Sequence, residues 1–138
     1  MHTPLPGQHP AAAQASEAAG IIKNCVHCGF CLPACPTYQL LGDERDSPRG
    51  RIYLIKQMVE GHTPTRITQR HLDRCLTCRA CESACPSGVR YARLLDVGRD
   101  MLAQQLRRPV RSWLWRALLG QGLSQGAWFG AALRLGRA

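Results

Sequence analysis

Cys25-Val26-His27-Cys28-Gly29-Phe30-Cys31-Leu32-Pro33-Ala34-Cys35-Pro36 recurs, 50 positions on, as Cys75-Leu76-Thr77-Cys78-Arg79-Ala80-Cys81-Glu82-Ser83-Ala84-Cys85-Pro86. Both stretches read C-x-x-C-x-x-C-x-x-x-C-P, and together they use all eight cysteines of the 138-residue chain. A repeat of this kind decides the fold before any periodicity does. Three thiols spaced by two residues wrap a short loop around one metal cluster, with the loop's amides turned inward. Pro36 and Pro86 push Cys35 and Cys85 toward extended backbone, which aims their side chains away from their own loops. In two-cluster ferredoxins with this run, the fourth cysteine ligates the other cluster. The expected assignment is therefore crossed. One [4Fe–4S] cluster takes Cys25, Cys28, Cys31 and Cys85; the second takes Cys75, Cys78, Cys81 and Cys35.

Zinc competes for the same residues, because a single C-x-x-C pair also serves zinc ribbons and thiol redox motifs. A third cysteine at the same interval adds nothing to a tetrahedral site built from two pairs. Two [4Fe–4S] clusters are the preferred reading, with zinc or mixed sites as the alternative. Haem attachment is not supported, since Gly29 and Arg79 follow Cys28 and Cys78 where that motif has a histidine. With four thiolates each, the clusters bring negative charge and replace much of an apolar core, so the metal-free chain is expected to fold poorly.

Composition narrows the class. At 45% hydrophobic and 20% charged residues, the chain is neither a disordered polyelectrolyte nor a membrane bundle. The first 20 residues lack the basic start and apolar block of a secretory signal, which places the expected location in the cytoplasm, where thiols stay reduced. The net charge of +9 is uneven. The last acid is Asp100; after it come Arg107, Arg108, Arg111, Arg116, Arg134 and Arg137 with no acid. The same stretch holds Trp113, Trp115 and Trp128.

Working outward from the motifs, residues 1–20 read as a flexible arm, loose or weakly helical, 21–108 as an α-helical ferredoxin domain, and 109–138 as a basic tail rich in Trp and Gly. Ser47-Pro48 is an N-cap followed by proline in a first turn. Ile52, Ile55, Met58 and Val59 follow at helical spacing, and Gly61 closes that helix. Thr63-Pro64 begins a second short helix carrying Ile67 toward His71. Tyr91, Leu94, Leu95, Gly98, Met101, Leu102 and Leu106 mark one face of a longer helix that stops near Arg108, ahead of Pro109. No alternating strand pattern occurs, so the fold class is mostly α, with short helices flanking the two cysteine loops.

Several residues near the loops carry both a structural and a functional reading. His27 either donates a hydrogen bond to sulfur or is a solvated spectator, and the spectator reading is preferred. Arg74, Arg79 and Lys23 either raise a reduction potential by their charge or simply belong to a basic surface. Asp43, Glu44 and Asp46 read as a loop approaching the Ser47 cap. No nucleophile, phosphate loop or paired carboxylate is evident, so no catalytic residue is assigned: the domain passes electrons.

The segments Cys35-Pro-Thr-Tyr-Gln-Leu-Leu-Gly-Asp-Glu, Asp46-Ser-Pro-Arg-Gly-Arg-Ile-Tyr-Leu-Ile-Lys and His71-Leu-Asp-Arg-Cys-Leu-Thr-Cys-Arg resemble the iron–sulfur subunit of bacterial glycolate oxidase (glycolate dehydrogenase). So do Cys85-Pro-Ser-Gly-Val-Arg-Tyr and Leu94-Leu-Asp-Val-Gly-Arg-Asp. The resemblance covers about residues 20–110. It implies an α-helical ferredoxin module in a complex with flavin-bearing subunits that oxidise glycolate to glyoxylate. Electrons would pass through this chain to the quinone pool. Family members continue into cysteine-rich repeats with a Cys-Cys-Gly element, which this sequence lacks, so the chain reads either as a fragment, its tail the start of a longer C-terminal part, or as a shortened relative. Related lactate or glycerol-3-phosphate dehydrogenase complexes, or a stand-alone two-cluster ferredoxin, are the alternatives. The tail either packs against that further part, the preferred reading, or rests peripherally on the inner face of the plasma membrane. A nucleic-acid partner is not expected, because aromatic and basic residues do not interleave around the motifs.

Overall fold

The computed structural model describes residues 12–107, 114–120 and 130. A first compact unit ends at Leu106. Its described residues form α1 (Ala12–Lys23), α2 (Pro36–Leu41), a 3-10 turn (Glu44–Asp46), α3 (Pro48–Val59), α4 (Arg66–Asp73), α5 (Ala80–Ser83) and α6 (Tyr91–Gln105), with no strand among them. The mostly α class expected from the sequence is observed.

α3 starts where the cap predicted. The Ser47 side chain accepts from the Gly50 amide at 2.9 Å, and Pro48 occupies the first turn. Ile52, Ile55, Met58 and Val59 are all buried. α6 runs along the expected face and buries Leu94, Leu95, Met101 and Leu102. α4 begins two residues later than Thr63-Pro64 suggested. Thr65 is the cap, exchanging hydrogen bonds with Thr68 in a capping box. Ile67 is half exposed as a result, and Leu72 faces the core.

The arm expected over residues 1–20 gives way at Ala12 to α1; residues 1–11 lie outside the described residues. Ala15, Ala18, Ala19 and Ile22 recur at i, i+3, i+4 and i+7 and are all buried. A stripe of small residues at helical spacing gives little hydrophobic signal, yet it lets α1 lie close against α3 and α6. Alanine's high helix propensity does the rest.

Two glycines fix how closely the elements approach. A Cβ on Gly98 would lie 2.7 Å from Ile55 Cγ1, where α6 crosses α3. A Cβ on Gly50 would lie 1.9 Å from the Glu44 carbonyl oxygen, so the 3-10 turn sits directly on the α3 backbone.

The second unit covers Arg107–Ala138. Its described residues 114–120 are helical, with Leu114, Trp115, Leu118 and Leu119 at least half exposed. Trp113 and Trp128, which the sequence reading counted in the tail, lie outside the described residues. No helix among the described residues is long and apolar enough to cross a membrane.

Candidate metal centres

Each cysteine loop follows the end of a helix, α1 for the first and α4 for the second. The loops repeat in backbone as well as in sequence. Cys25 N donates to Ile22 O as Cys75 N does to Leu72 O; Leu32 N donates to Gly29 O as Glu82 N does to Arg79 O; Cys35 N donates to Leu32 O as Cys85 N does to Glu82 O. The third and fifth positions are left-handed in both loops: His27 (φ 56°) and Gly29 (φ 89°), Thr77 (φ 57°) and Arg79 (φ 62°). A left-handed β-branched threonine is a strained choice, and such strain gathers at functional sites. Left-handed positions of this kind are a feature of backbone concavities that hold anionic groups.

The concave sides form two adjacent cavities. One is lined by Cys25, Cys28, Cys31 and Cys85, the other by Cys35, Cys75, Cys78 and Cys81. Each set draws on both motifs, and Pro48, Cys81 and Tyr91 line both cavities. All eight cysteines are free thiols. Cys35 and Cys81 are buried, Cys28 and Cys78 exposed, and the other four partly buried against the core.

Burial raises the Cys25 and Cys31 thiols above the ordinary range. Cys81 is pushed up to about 12 by burial and then by the neighbouring Cys75, Cys31 and Cys35 sulfurs. Thiols so placed hold their protons until a metal replaces them. The donor set fits a thiolate-bound metal group: eight sulfurs around two adjacent cavities, with Cys81 in the wall of both, and a buried His27 Nε2 without a hydrogen-bond partner beside the first. His27 is thus no solvated spectator. Its carbonyl accepts from Arg49 at 3.3 Å.

The cations named from the sequence are largely engaged. Arg79 pairs with Glu82 at 2.9 Å, Arg74 with Asp46 at 3.0 Å, and Lys23 is exposed. What the sequence reading missed lies behind Cys35. Arg51, 1% exposed, donates to the His71 carbonyl (2.7 Å) and to Thr37 Oγ1 (3.1 Å), and its guanidinium lies 3.9 Å from Cys35 Sγ. Asp46 is fully buried, 3.4 Å from Arg51 and 3.0 Å from His71 Nδ1. It is therefore a buried anion of this network and not merely part of a helix-approach loop. Thr37 Oγ1 lies 3.2 Å from Cys35 Sγ, and Tyr91 donates toward Cys75 Sγ at 3.7 Å. The signal was available in the sequence, because Arg51 shares the helical face of Ile55 and Met58.

Residues 21–89 match the 4Fe-4S dicluster domain family. The chain is 55% identical over 136 residues to the glycolate oxidase iron-sulfur subunit of Escherichia coli, covering 99% of this chain and 33% of that protein. It is 52% identical over 93 residues to the probable glycolate oxidase iron-sulfur subunit of Bacillus subtilis (66% of this chain, 21% of that one). One component of the dihydromethanophenazine:CoB–CoM heterodisulfide reductase of Methanosarcina mazei is 30% identical over 119 residues, covering 72% of this chain and 29% of that one. The chain therefore spans a third or less of the length of these curated relatives. No solved structure matches it.

Proposed function

The chain belongs to the 4Fe-4S dicluster domain family, and from that premise we propose that it is the electron-transfer part of a flavin-dependent complex oxidising glycolate to glyoxylate. The observation that carries this reading is that all eight free thiols line two adjacent cavities, each drawing on both motifs and with Cys81 in the wall of both. On this reading Cys25, Cys28, Cys31 and Cys85 hold one [4Fe–4S] cluster, and Cys35, Cys75, Cys78 and Cys81 hold the other. When bound, each cluster takes up and releases a single electron.

The chain's own residues bind and shelter these groups. The left-handed positions in both loops suit backbone that faces negative charge, and the shared wall of Pro48, Cys81 and Tyr91 keeps the two sites adjacent. Exposed Cys28 and Cys78, flanked by exposed Val26, Phe30 and Leu76, bring each site to the surface, where partner subunits dock. A flavin reduced by a 2-hydroxy acid holds two electrons, which matches two one-electron sites. The quinone pool is the final acceptor on this reading. In the second unit, exposed Leu114, Trp115, Leu118 and Leu119 offer an apolar face for a further protein segment; flotation with anionic liposomes would instead assign that face to the membrane.

The test begins with iron, acid-labile sulfide and zinc in anaerobically purified protein. About eight iron and eight sulfide per chain are expected, the content of two [4Fe–4S] centres. About two zinc and no sulfide would overturn the reading. Co-expression with flavin-bearing subunits should then give a complex whose iron–sulfur absorption bleaches on addition of glycolate. Bleaching by lactate or glycerol 3-phosphate instead would reassign the substrate.

A further inference from the structure

The two thiol sets lie in nearly identical loops but in different electrostatic surroundings. Over the first loop lies Arg49, which donates to the His27 carbonyl. Its side chain is 32% exposed and pairs with Glu44 at 2.8 Å, so solvent and a carboxylate both screen it. Behind the second set lies Arg51, withdrawn from water, with its guanidinium against Cys35 Sγ. Its counter-charge is shared. Asp46 also accepts from Arg74 at 3.0 Å, leaving one buried carboxylate facing two guanidiniums. Arg99 adds a third cation nearby, donating to the carbonyls of Leu72 and Cys75 at 2.9 Å. Hydroxyls gather on this side too, with Thr37 beside Cys35 and Tyr91 beside Cys75. At the first set the Val89 amide lies 3.5 Å from Cys85 Sγ and backbone amides also bond Cys25 and Cys31, so what separates the two sets is the buried side-chain charge and hydroxyls behind the second.

Reducing a four-thiolate iron–sulfur group by one electron adds one negative charge. Buried positive charge and donors to the sulfurs therefore favour the reduced form. We propose that Arg51 is a positioning residue that sets the relay's order, making the Cys35, Cys75, Cys78 and Cys81 centre the more easily reduced of the two. This rests on the two-cluster reading above. The same arginine ties α3 to the end of α4 through the His71 carbonyl, so it fixes the Cys35 side and the Cys75 side in one frame.

The test is an EPR-monitored redox titration of the loaded full chain, in which Cys78→Ser identifies the Cys35 centre and Cys28→Ser the other. In the native protein the step marked by Cys78→Ser should be the higher. Arg51→Met should lower that step, shifting its reduction equilibrium at least tenfold, or about 59 mV for one electron, and leave the other in place. Arg51→Lys should restore most of the loss. Asp46→Asn, which removes the neutralising anion, should move the same step upward. A merely structural role would not produce shifts of opposite sign. Should Arg51→Met fail to load, Asp46→Asn and Arg74→Gln, the latter at a side chain 43% exposed, carry the test with upward and downward shifts respectively. An unmoved step, or movement of the step marked by Cys28→Ser, overturns the proposal. An iron count other than eight would fault the two-cluster reading instead, so the two failures are distinguishable.

Discussion

The loop around Cys25 and the loop around Cys75 share their hydrogen-bond pattern and their left-handed positions, yet one is backed by a solvent-reaching arginine and the other by one that is 1% exposed. The repeat supplies equivalent thiols; the segment between the copies gives them unequal surroundings. Asp46, Ser47, Gly50 and Arg51 all lie in that segment, and all four are buried. Duplication of a motif therefore says little about what each copy does until the intervening chain is read as well.

The widest break in this comparison comes from pairing cysteine variants. Cys25→Ala with Cys85→Ala should leave about four iron atoms per chain, the content of one [4Fe–4S] centre. Cys25→Ala with Cys35→Ala should leave none. The reverse pattern in an iron assay would show that each motif keeps its own four ligands.

Gly50→Ala comes next. Its Cβ meets a backbone oxygen at 1.9 Å, which no rotamer relieves, so the 3-10 turn and Asp46 must move. A loss of about 3 kcal/mol or more is expected. It should disturb the EPR signal of the Cys35 centre before that of its neighbour. Gly98→Ala is the control, because α6 and α3 support both sites. Overpacking against Ile55 should lower the thermal midpoint by the equivalent of about 1–3 kcal/mol and leave the difference between the centres intact. The smallest effect is expected from Thr65→Ala, which removes the α4 capping box at about 1 kcal/mol. Hydrogen exchange should report it in α4 and the loop that follows, with α1 unaffected.

The cysteine repeat, the Ser47 cap and the apolar faces of α3 and α6 were legible in the sequence because each is a local pattern with one physical reading. α1 was legible only as a loose or weakly helical arm, since its buried face is mostly alanine and carries little hydrophobic contrast until Ile21 and Ile22. The start of α4 slipped because Thr63 and Thr65 flank the same proline and only geometry selects the cap. Asp46 read as a loop acid because its partners, at positions 51, 71 and 74, come together only in the fold. Arg51 was hidden by its type: a charged residue on an apolar face is discounted unless the reader asks what would neutralise it.

The sharing of both cavities between the two motifs also bears on biosynthesis. The first three thiols are made early, but the set lining their cavity is not complete until Cys85 has been added. At about 5–20 residues per second, roughly 3–12 s of translation separate Cys25 from Cys85. The other set is completed by Cys81, only four residues before. Both receptacles thus become whole almost together, late in the synthesis of this region. Until then the nascent chain carries thiols whose partner ligands across the repeat have not yet been made.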